Sequence, residues 1–311
     1  MNDKSDDFQK NTWKPVRADN IDREIVSRYH EILEYLPALP GHVFELLTSI
    51  SDSESSSKNI ADITSSDPVL ASKILKIVNS AYYSLPDKID NLQLAIVLLG
   101  YEEVRNIALR CSVHNIIGTG GDFKGYDVRH LWKHSFLVSV CSGLLEKKHD
   151  LDREGVLLTL GLLHDIGKYV LFNAAIIMRK KGMKIGDISN DSARSYMLKH
   201  EEEMFGVNHA VMGSMIAKKW GLSERLYTVL EYHHYPSFFG LETIPEKYVR
   251  DVAVVSISDY IINILTGKNQ LPMPSQVFFD ILGLEPIKGN VISDGLRNKL
   301  EKAQDMLTYL K

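Results

Sequence analysis

The sequence is poor in cysteine, and the two that it has, Cys111 and Cys141, form no CxxC pair. This spacing excludes a disulfide framework of the kind that stabilises small secreted domains. The chain also lacks an apolar run long enough to cross a bilayer, and its polar N-terminus, MNDKSDDFQKNTWK, has no apolar segment typical of a signal peptide. Its net charge of −4 gives no strongly basic surface. We therefore expect a cytoplasmic protein that binds neither nucleic acid nor membranes.

The helical period dominates the pattern of apolar residues. The 311 residues are 44% hydrophobic and 24% charged, which is typical of a globular chain. From Ile25 onward, apolar residues recur with the helical period, whereas sustained two-residue alternation is absent. The sequence therefore predicts an all-α fold. The predicted helices cover residues 25–35, 42–50, 59–65, 68–79, 92–99, 101–117, 127–148, 151–175, 194–205, 208–220, 223–233, 246–265, 275–282 and 293–310.

A glycine-rich stretch, GTGGDFKG at residues 118–125, is the best candidate for a domain boundary. It does not follow a predicted strand, so a flexible connector is favoured over a dinucleotide-binding loop. We predict a mobile tail at residues 1–24, an N-terminal helical subdomain at 25–120, and a second helical unit with C-terminal helices at 121–311.

The sharpest local feature is GLLHDIGK, residues 161–168, in which His164 and Asp165 lie inside an apolar stretch. Two unpaired polar side chains at such a position would be costly, and a shared cation would satisfy both. The alternative is a core histidine bonded to a backbone carbonyl, with Asp165 as a helix cap. Lys168, one turn further on, would either reach a substrate phosphate or be a solvated lysine.

Further histidines and an aspartate repeat this arrangement on other predicted helices. Three of them lie on apolar helical faces, and a histidine pair ends the helix predicted at 223–233. Helix bundles assemble metal sites from such inward side chains. Imidazole and carboxylate ligands suit Fe, Mn, Zn, Ni or Co, and Asp165 would bridge the ions if two are bound. The predicted ligands of one shared site are His134, His164, Asp165, His209, His233, His234 and Asp259.

These residues resemble those of a known family. The order His134, His164–Asp165, Asp259 is similar to the H…HD…D signature of HD-superfamily metal phosphohydrolases. In the first half, LPALPGHVFELL, DPVLASKILKIVNSAYY and AIVLLG resemble the phrases LPxLP, DPxLxxxxLxxxNSxxY and AIxxLG of the HDOD family, the HD-related output domain of bacterial signalling proteins. The resemblance covers residues 36–235. It implies an HD-like helical bundle at 121–311, on which the N-terminal helical subdomain packs.

The resemblance also bears on activity. His209 and His233–His234 resemble the extra ligands of the HD-GYP branch, which hydrolyses cyclic di-GMP. After His234, however, the chain reads YPSFFG and lacks the glutamate and Gly-Tyr-Pro of that branch, and His130 stands where some members carry another glutamate. A typical cyclic di-GMP phosphodiesterase is therefore not expected. The acidic run at 201–203 would lend a carboxylate to the site or form a solvated helix face.

HDOD proteins are usually regulatory, and two hypotheses for function follow. The first is a regulatory protein of bacterial signal transduction that holds one or two divalent metal ions and acts through a signalling protein partner or a nucleotide-like or phosphate ligand. The alternative is a metal-dependent phosphohydrolase that acts on a nucleotide or phosphate ester, with Asp165 and Lys168 as catalytic residues. The sequence alone leaves both open.

Overall fold

The computed structural model describes residues 13–34, 41–48, 64, 68–80, 83–117, 128–146, 154–180, 182, 197–267, 271–285 and 293–306. Over these residues the fold is all-α, as predicted, with helices and turns and no strand. Short 3-10 turns lie at Ala18–Asn20, Leu241–Thr243 and Glu246–Tyr248. The α-helices are α1 (Arg23–Glu34), α2 (Gly41–Thr48), α3 (Pro68–Val78), α4 (Leu92–Leu99), α5 (Tyr101–Ile117), α6 (Val128–Glu146), α7 (Glu154–Leu163), α8 (Ile166–Lys180), α9 (Met197–Phe205), α10 (His209–Lys219), α11 (Glu224–Tyr232), α12 (Tyr235–Phe238), α13 (Val249–Leu265), α14 (Gln276–Ile281) and α15 (Asp294–Met306).

Several helices begin and end at the residues that the sequence indicates. Asn91 and Asn208 each accept, through Oδ1, the N–H three residues further on, at 2.7 and 3.2 Å, and so cap α4 and α10. Gly100 ends α4 with a φ of 85°, a backbone conformation that favours glycine. The predicted helix at 59–65, except Thr64, lies outside the described residues.

One predicted helix is wrong. The apolar pattern predicts a continuous helix over 151–175, whereas the structure has α7 and α8, separated by a turn at His164 and Asp165. The Nδ1–H of His164 donates to the carbonyl oxygen of Gly161 at 2.7 Å. In a continuous helix, that carbonyl would accept the N–H of Asp165. The histidine side chain thus competes with the main chain and ends α7.

The buried core is continuous across the two predicted units. In the C-terminal part, α6 packs against α7 and α13, and α10 packs against α8 and α11. In the N-terminal part, α2, α3 and α4 pack on α5, which also contacts α6 and α7. The apolar residues of both parts belong to one buried cluster. The glycine-rich connector lies outside the described residues, so the division at residue 120 stays a prediction.

Part of the predicted tail contacts the C-terminal half of the chain. The N–H of Val16 donates to Glu202 Oε1 at 2.7 Å, and Asn208 Nδ2 donates to the carbonyl oxygen of Val16 at 3.0 Å. Helix α1, which the sequence groups with the N-terminal subdomain, follows this segment and packs on α8. Its Tyr29 hydroxyl donates to the carbonyl oxygen of Phe205 at 3.2 Å. Residues 13–34 therefore connect the N-terminus to helices of the C-terminal unit.

Although the sequence has no uninterrupted apolar run of that length, the stretch Gly155–Met178 is, on average, long and apolar enough to cross a membrane by length and composition alone. It consists of α7, the turn and most of α8, and 83% of its apolar window is buried inside the fold. Its apolar surface is therefore covered by the other helices.

Gly167, the second residue of α8, lets α8 approach α10 closely. A Cβ atom built there would lie 1.9 Å from the carbonyl oxygen of His209 and 2.6 Å from the nitrogen of Gly213. We expect Gly167→Ala to lower the free energy of unfolding by about 3 kcal/mol, because both obstacles are main-chain atoms. Gly295→Ala in α15 is the control, since a Cβ there meets nothing within 4 Å and alanine favours the helix by up to about 1 kcal/mol. Urea unfolding measures the stability of both variants. Equal unfolding midpoints would contradict the close approach of α8 to α10.

Candidate metal centre

The structure brings the seven predicted ligands together from separate elements. His134 lies on α6, Asp259 lies on α13, and His209 is the first residue of α10. The other four lie in two turns, His164–Asp165 between α7 and α8 and His233–His234 between α11 and α12. Their exposed fractions range from 0% for His164 and His233 to 9% for His134. The seven side chains therefore form one buried cluster.

Asp165 lies in the middle of this cluster. Its Oδ2 is 3.3 Å from His164 Nε2 and 3.6 Å from His134 Nε2. Its Oδ1 is 3.1 Å from His209 Nε2. The Lys168 ammonium donates to Oδ2 at 2.6 Å. One carboxylate thus contacts three histidines from different elements and has a lysine as its counter-charge.

Asp259 is the second carboxylate of the cluster. Its Oδ1 lies 2.9 Å from His134 Nε2 and accepts a hydrogen bond from Asn263 Nδ2 at 2.7 Å. Its Oδ2 lies 3.9 Å from His234 Nδ1. The other ring nitrogen of His234, Nε2, lies 2.9 Å from His209 Nε2. Asp259 therefore contacts both His134 of α6 and His234, which in turn contacts His209.

The candidate ligand atoms fall into two groups, each with all its atoms within 4.8 Å of one another. Asp165 belongs to the first group and also contacts two histidines of the second, so its carboxylate is placed between the groups. This position suits a bridge between two cations. The first group is Asp165, His209, His233 and His234, and the second is His134, His164 and Asp259.

Two histidines are held in place by the main chain. The Nδ1–H of His164 donates to Gly161 O and that of His233 donates to Leu230 O, each at 2.7 Å. Because a carbonyl oxygen only accepts, each ring carries its proton on Nδ1 and has a lone pair on Nε2. Among the described residues, neither Nε2 atom has a hydrogen-bond partner. Buried polar atoms in this state are costly, and ligation of a cation would satisfy them.

The contact between His164 and Asp165 leads to the same conclusion. The Nε2 lone pair of His164 lies 3.3 Å from Asp165 Oδ2, so that one acceptor faces another. Such atoms repel each other in a buried setting unless a cation lies between them. The side chains present therefore fit a metal ion.

Burial lowers the pKa of His134, His233 and His234, whereas nearby carboxylates, Glu201 first, outweigh burial and raise the pKa of His209. Burial, with a smaller contribution from the neighbouring His164 and His209, lowers the pKa of His233 to about 3. Burial raises the pKa of Asp165, but neighbouring groups, among them the Lys168 ammonium, outweigh this effect and hold the pKa of that carboxyl well below its usual range. A neutral imidazole and an ionised carboxylate are the forms that bind metals.

Glu201 supports one of the ligands. It is 1% exposed, and its Oε2 accepts both the Nδ1–H of His209, at 2.6 Å, and the backbone N–H of His209, at 2.8 Å. These bonds direct His209 Nε2 towards Asp165. Glu203, two residues further on in the same acidic run, is exposed. The run at 201–203 thus supplies a carboxylate next to the site and also has a solvated face.

Lys168 and His130 lie in opposite environments. The Lys168 side chain is 13% exposed and paired with Asp165, so it is not a solvated lysine. His130, one turn before His134 on α6, is exposed and does not belong to either group of candidate ligands. The shared helical face of the two histidines therefore does not place His130 in the cluster.

Comparison with known proteins gives both a family and a relative. The sequence profile of the HDOD domain family matches residues 36–236 of this chain. An uncharacterized protein of Treponema pallidum is 24% identical over 253 residues, which make up 80% of this chain and 47% of that protein. The chain therefore spans about half the length of this relative.

Two crystal structures are similar over nearly the whole chain. An HDOD domain protein of unknown function from Geobacter sulfurreducens matches with a TM-score of 0.70 at 20% identity, covering 93% of this chain and 98% of that one. A candidate phosphohydrolase from Shewanella amazonensis matches with a TM-score of 0.66 at 21% identity, covering 92% of this chain and 98% of that one. At these identities the likeness establishes the fold alone.

We expect Glu201→Ala to lower the free energy of unfolding by about 1–3 kcal/mol, because it leaves two buried N–H groups of His209 without their acceptor. Glu203→Ala makes the same change at an exposed position of α9 and should shift stability by less than about 0.5 kcal/mol. Urea unfolding of both variants provides the measurement. Equal effects would show that the Glu201 contacts contribute nothing specific to stability.

Proposed function

The chain belongs to the HDOD family, as its sequence predicts, and we propose that it is a regulatory protein of bacterial signal transduction whose HD-type site holds one or two divalent metal ions. One observation carries this proposal. The Nε2 lone pairs of His164 and His233 are buried inside a cluster that contains two carboxylates, and no donor among the described residues reaches them. A divalent ion would satisfy both.

The two groups of candidate ligands would hold the ions, with Asp165 shared between them. Imidazole and carboxylate ligands suit Fe, Mn, Zn, Ni or Co. An ion bound there would act as a Lewis acid and lower the pKa of a bound water towards ~7. The chain itself keeps the ligands in place, because Glu201 and the carbonyls of Gly161 and Leu230 hold the Nδ1 side of three histidine rings.

The depth of the cluster favours regulation over turnover. A phosphohydrolase must admit a phosphate ester to its metal ions, whereas none of the seven ligands is more than 9% exposed. An ion in so closed a site would stabilise one arrangement of the turns at His164–Asp165 and His233–His234. A signalling protein that binds this arrangement would then respond to the state of the metal centre.

A metal-dependent phosphohydrolase acting on a nucleotide or phosphate ester is the second candidate, and Lys168 is the observation that favours it. Its ammonium lies 2.6 Å from Asp165 Oδ2 and keeps 13% of its side chain exposed. Although burial lowers the pKa of Lys168, Asp165 and two further carboxylates outweigh it and raise that pKa, so the side chain stays charged. In this role Lys168 would contact the substrate phosphate. The Shewanella amazonensis neighbour is named a candidate phosphohydrolase.

A nucleotide-like or phosphate ligand would have a place apart from the metal centre. A cavity of about 590 Å³ lies between α2 and the first turns of α7 and α11, with Leu47, Val156 and Arg225 among its lining residues. Its volume is within the roughly 300–1,000 Å³ typical of ligand sites. Helices α7 and α11 end at the turns that carry His164 and His233, so a ligand in this cavity would contact the helices that position both histidines.

We expect the purified protein to contain at least one ion of Fe, Mn, Zn, Ni or Co for each chain. Asp165→Ala and His134→Ala should each reduce the bound metal about tenfold or more, because each removes a ligand. His130→Ala is the matched control on the same helix and should leave the metal content unchanged, since His130 is exposed. Inductively coupled plasma mass spectrometry measures the metal content of the wild-type protein and of the three variants. A wild-type protein that takes up none of these ions would contradict the proposal.

The regulatory proposal also predicts that the metal-loaded wild-type protein hydrolyses bis(p-nitrophenyl) phosphate no faster than Asp165→Ala. Release of p-nitrophenolate gives the rate. A rate that depends on Asp165 and falls about 100-fold in Lys168→Ala would favour the phosphohydrolase instead, because the ammonium would then stabilise the reacting phosphate. Lys180→Ala, an exposed lysine at the end of α8, is the control for loss of positive charge.

A further inference from the structure

A short N-terminal segment, residues 13–17, contacts two chain segments that carry three of the seven candidate ligands, His209, His233 and His234. Pro15 is buried, and both backbone groups of Val16 are hydrogen-bonded. The N–H of Val16 donates to Glu202 Oε1 at 2.7 Å, and its carbonyl oxygen accepts from Asn208 Nδ2 at 3.0 Å. Asn208 Nδ2 also donates to Glu202 Oε1 at 2.7 Å. Val16, Glu202 and Asn208 thus form a closed ring of hydrogen bonds.

Two residues of this hydrogen-bonded ring, Glu202 and Asn208, are linked to His209. Glu202 directly follows Glu201, whose carboxylate accepts two hydrogen bonds from His209. Asn208 directly precedes His209 and caps α10 through its Oδ1. A shift of Glu202 or Asn208 would therefore displace the residues that hold His209.

The same N-terminal segment contacts α12 and the residue after it, just beyond the turn that contains His234. The Trp13 ring lies edge-on to the Phe238 ring, with centroids 5.7 Å apart. The Lys14 ammonium lies 5.5 Å from the centre of the Phe239 ring. Phe238 and Phe239 follow His234 by only four and five residues. Residues 13–17 therefore bridge the segment that ends at His209 and the segment that begins at His233.

We propose that residues 13–17 and Glu202 position His209 and the His233–His234 turn relative to each other, with Glu202 as the positioning residue. The segment is attached by a few hydrogen bonds and ring contacts at partly buried positions, so it opens at a smaller free-energy cost than the core. Release of residues 13–17 removes contacts from both ligand-bearing segments at once. The N-terminus is thus coupled to the metal centre, and only the metal readout below rests on the proposed function.

The test compares variants of the full-length chain by two measurements. Amide hydrogen exchange, followed by mass spectrometry on peptides covering residues 206–213 and 233–240, reports the two segments in the ion-free protein. The half-time of metal transfer to excess EDTA reports the loaded protein. Glu202→Ala removes the acceptor, while Glu202→Gln keeps an acceptor oxygen for the Val16 N–H. Glu203→Ala is the matched control on the exposed face of α9.

We expect Glu202→Ala to raise exchange about tenfold in both segments and to shorten the EDTA half-time by a similar factor, because a shared hydrogen-bond acceptor is lost. Glu202→Gln should restore most of the protection, and Glu203→Ala should match the wild type. Trp13→Ala, a second variant that removes the ring contact with Phe238, should raise exchange in residues 233–240 while the fold is kept.

The proposal is wrong if amide hydrogen exchange in both segments is the same in the Glu202→Ala and Trp13→Ala proteins as in the Glu203→Ala protein. It is equally wrong if the increase in exchange stays within residues 13–17 and leaves residues 206–213 and 233–240 protected. A protein that binds no metal would overturn the proposed function, and the exchange of the ion-free chain would still decide the role of Glu202.

Discussion

Two hydrogen bonds determine how the buried cluster is built. His164 and His233 each donate from Nδ1 to the carbonyl oxygen three residues earlier, and each ends its helix by doing so. Neighbouring residues of a continuous helix point about 100° apart. In a turn, by contrast, the next residue, Asp165 or His234, also reaches the cluster. One contact therefore ends a helix, fixes a tautomer and brings two candidate ligands to the same place.

The remaining ligands depend on packing around these turns. His134 and Asp259 lie on α6 and α13, which pack against each other, and His209 begins α10, which packs on both α8 and α11. The absence of a side chain at Gly167 lets α10 come close enough for His209 to reach Asp165. Apolar packing thus brings together polar groups that would be unfavourable singly. Their mutual pairing offsets part of that cost, and a bound cation would offset more.

Much of the fold and cluster could be predicted, because the signals are local. The helical period gives the helices, and a histidine or aspartate on an apolar face is unusual enough to mark His134, His209 and Asp259. The break at His164 has no such signal, since its neighbours are apolar and only the competition for the Gly161 carbonyl ends the helix. Composition also does not reveal the contact of Val16 with Glu202, because the two residues lie 186 positions apart in the sequence. For that reason the polar N-terminus is predicted to be a mobile tail.

The burial that makes the cluster a good cation site also limits what it can do. A bound ion would be held by ligands whose own orientation is fixed, by Glu201 for His209 and by carbonyls for His164 and His233. Such a site changes its affinity mainly when those supports move. Two of the supports are main-chain carbonyls near helix ends, and the third is the Glu201 carboxylate. Signals would then reach the metal through the helices that adjoin the turns and through the N-terminal segment that contacts Phe238 and Phe239, rather than through a substrate entering the cluster. For that reason the same geometry that supports metal binding supports regulation more directly than it supports turnover.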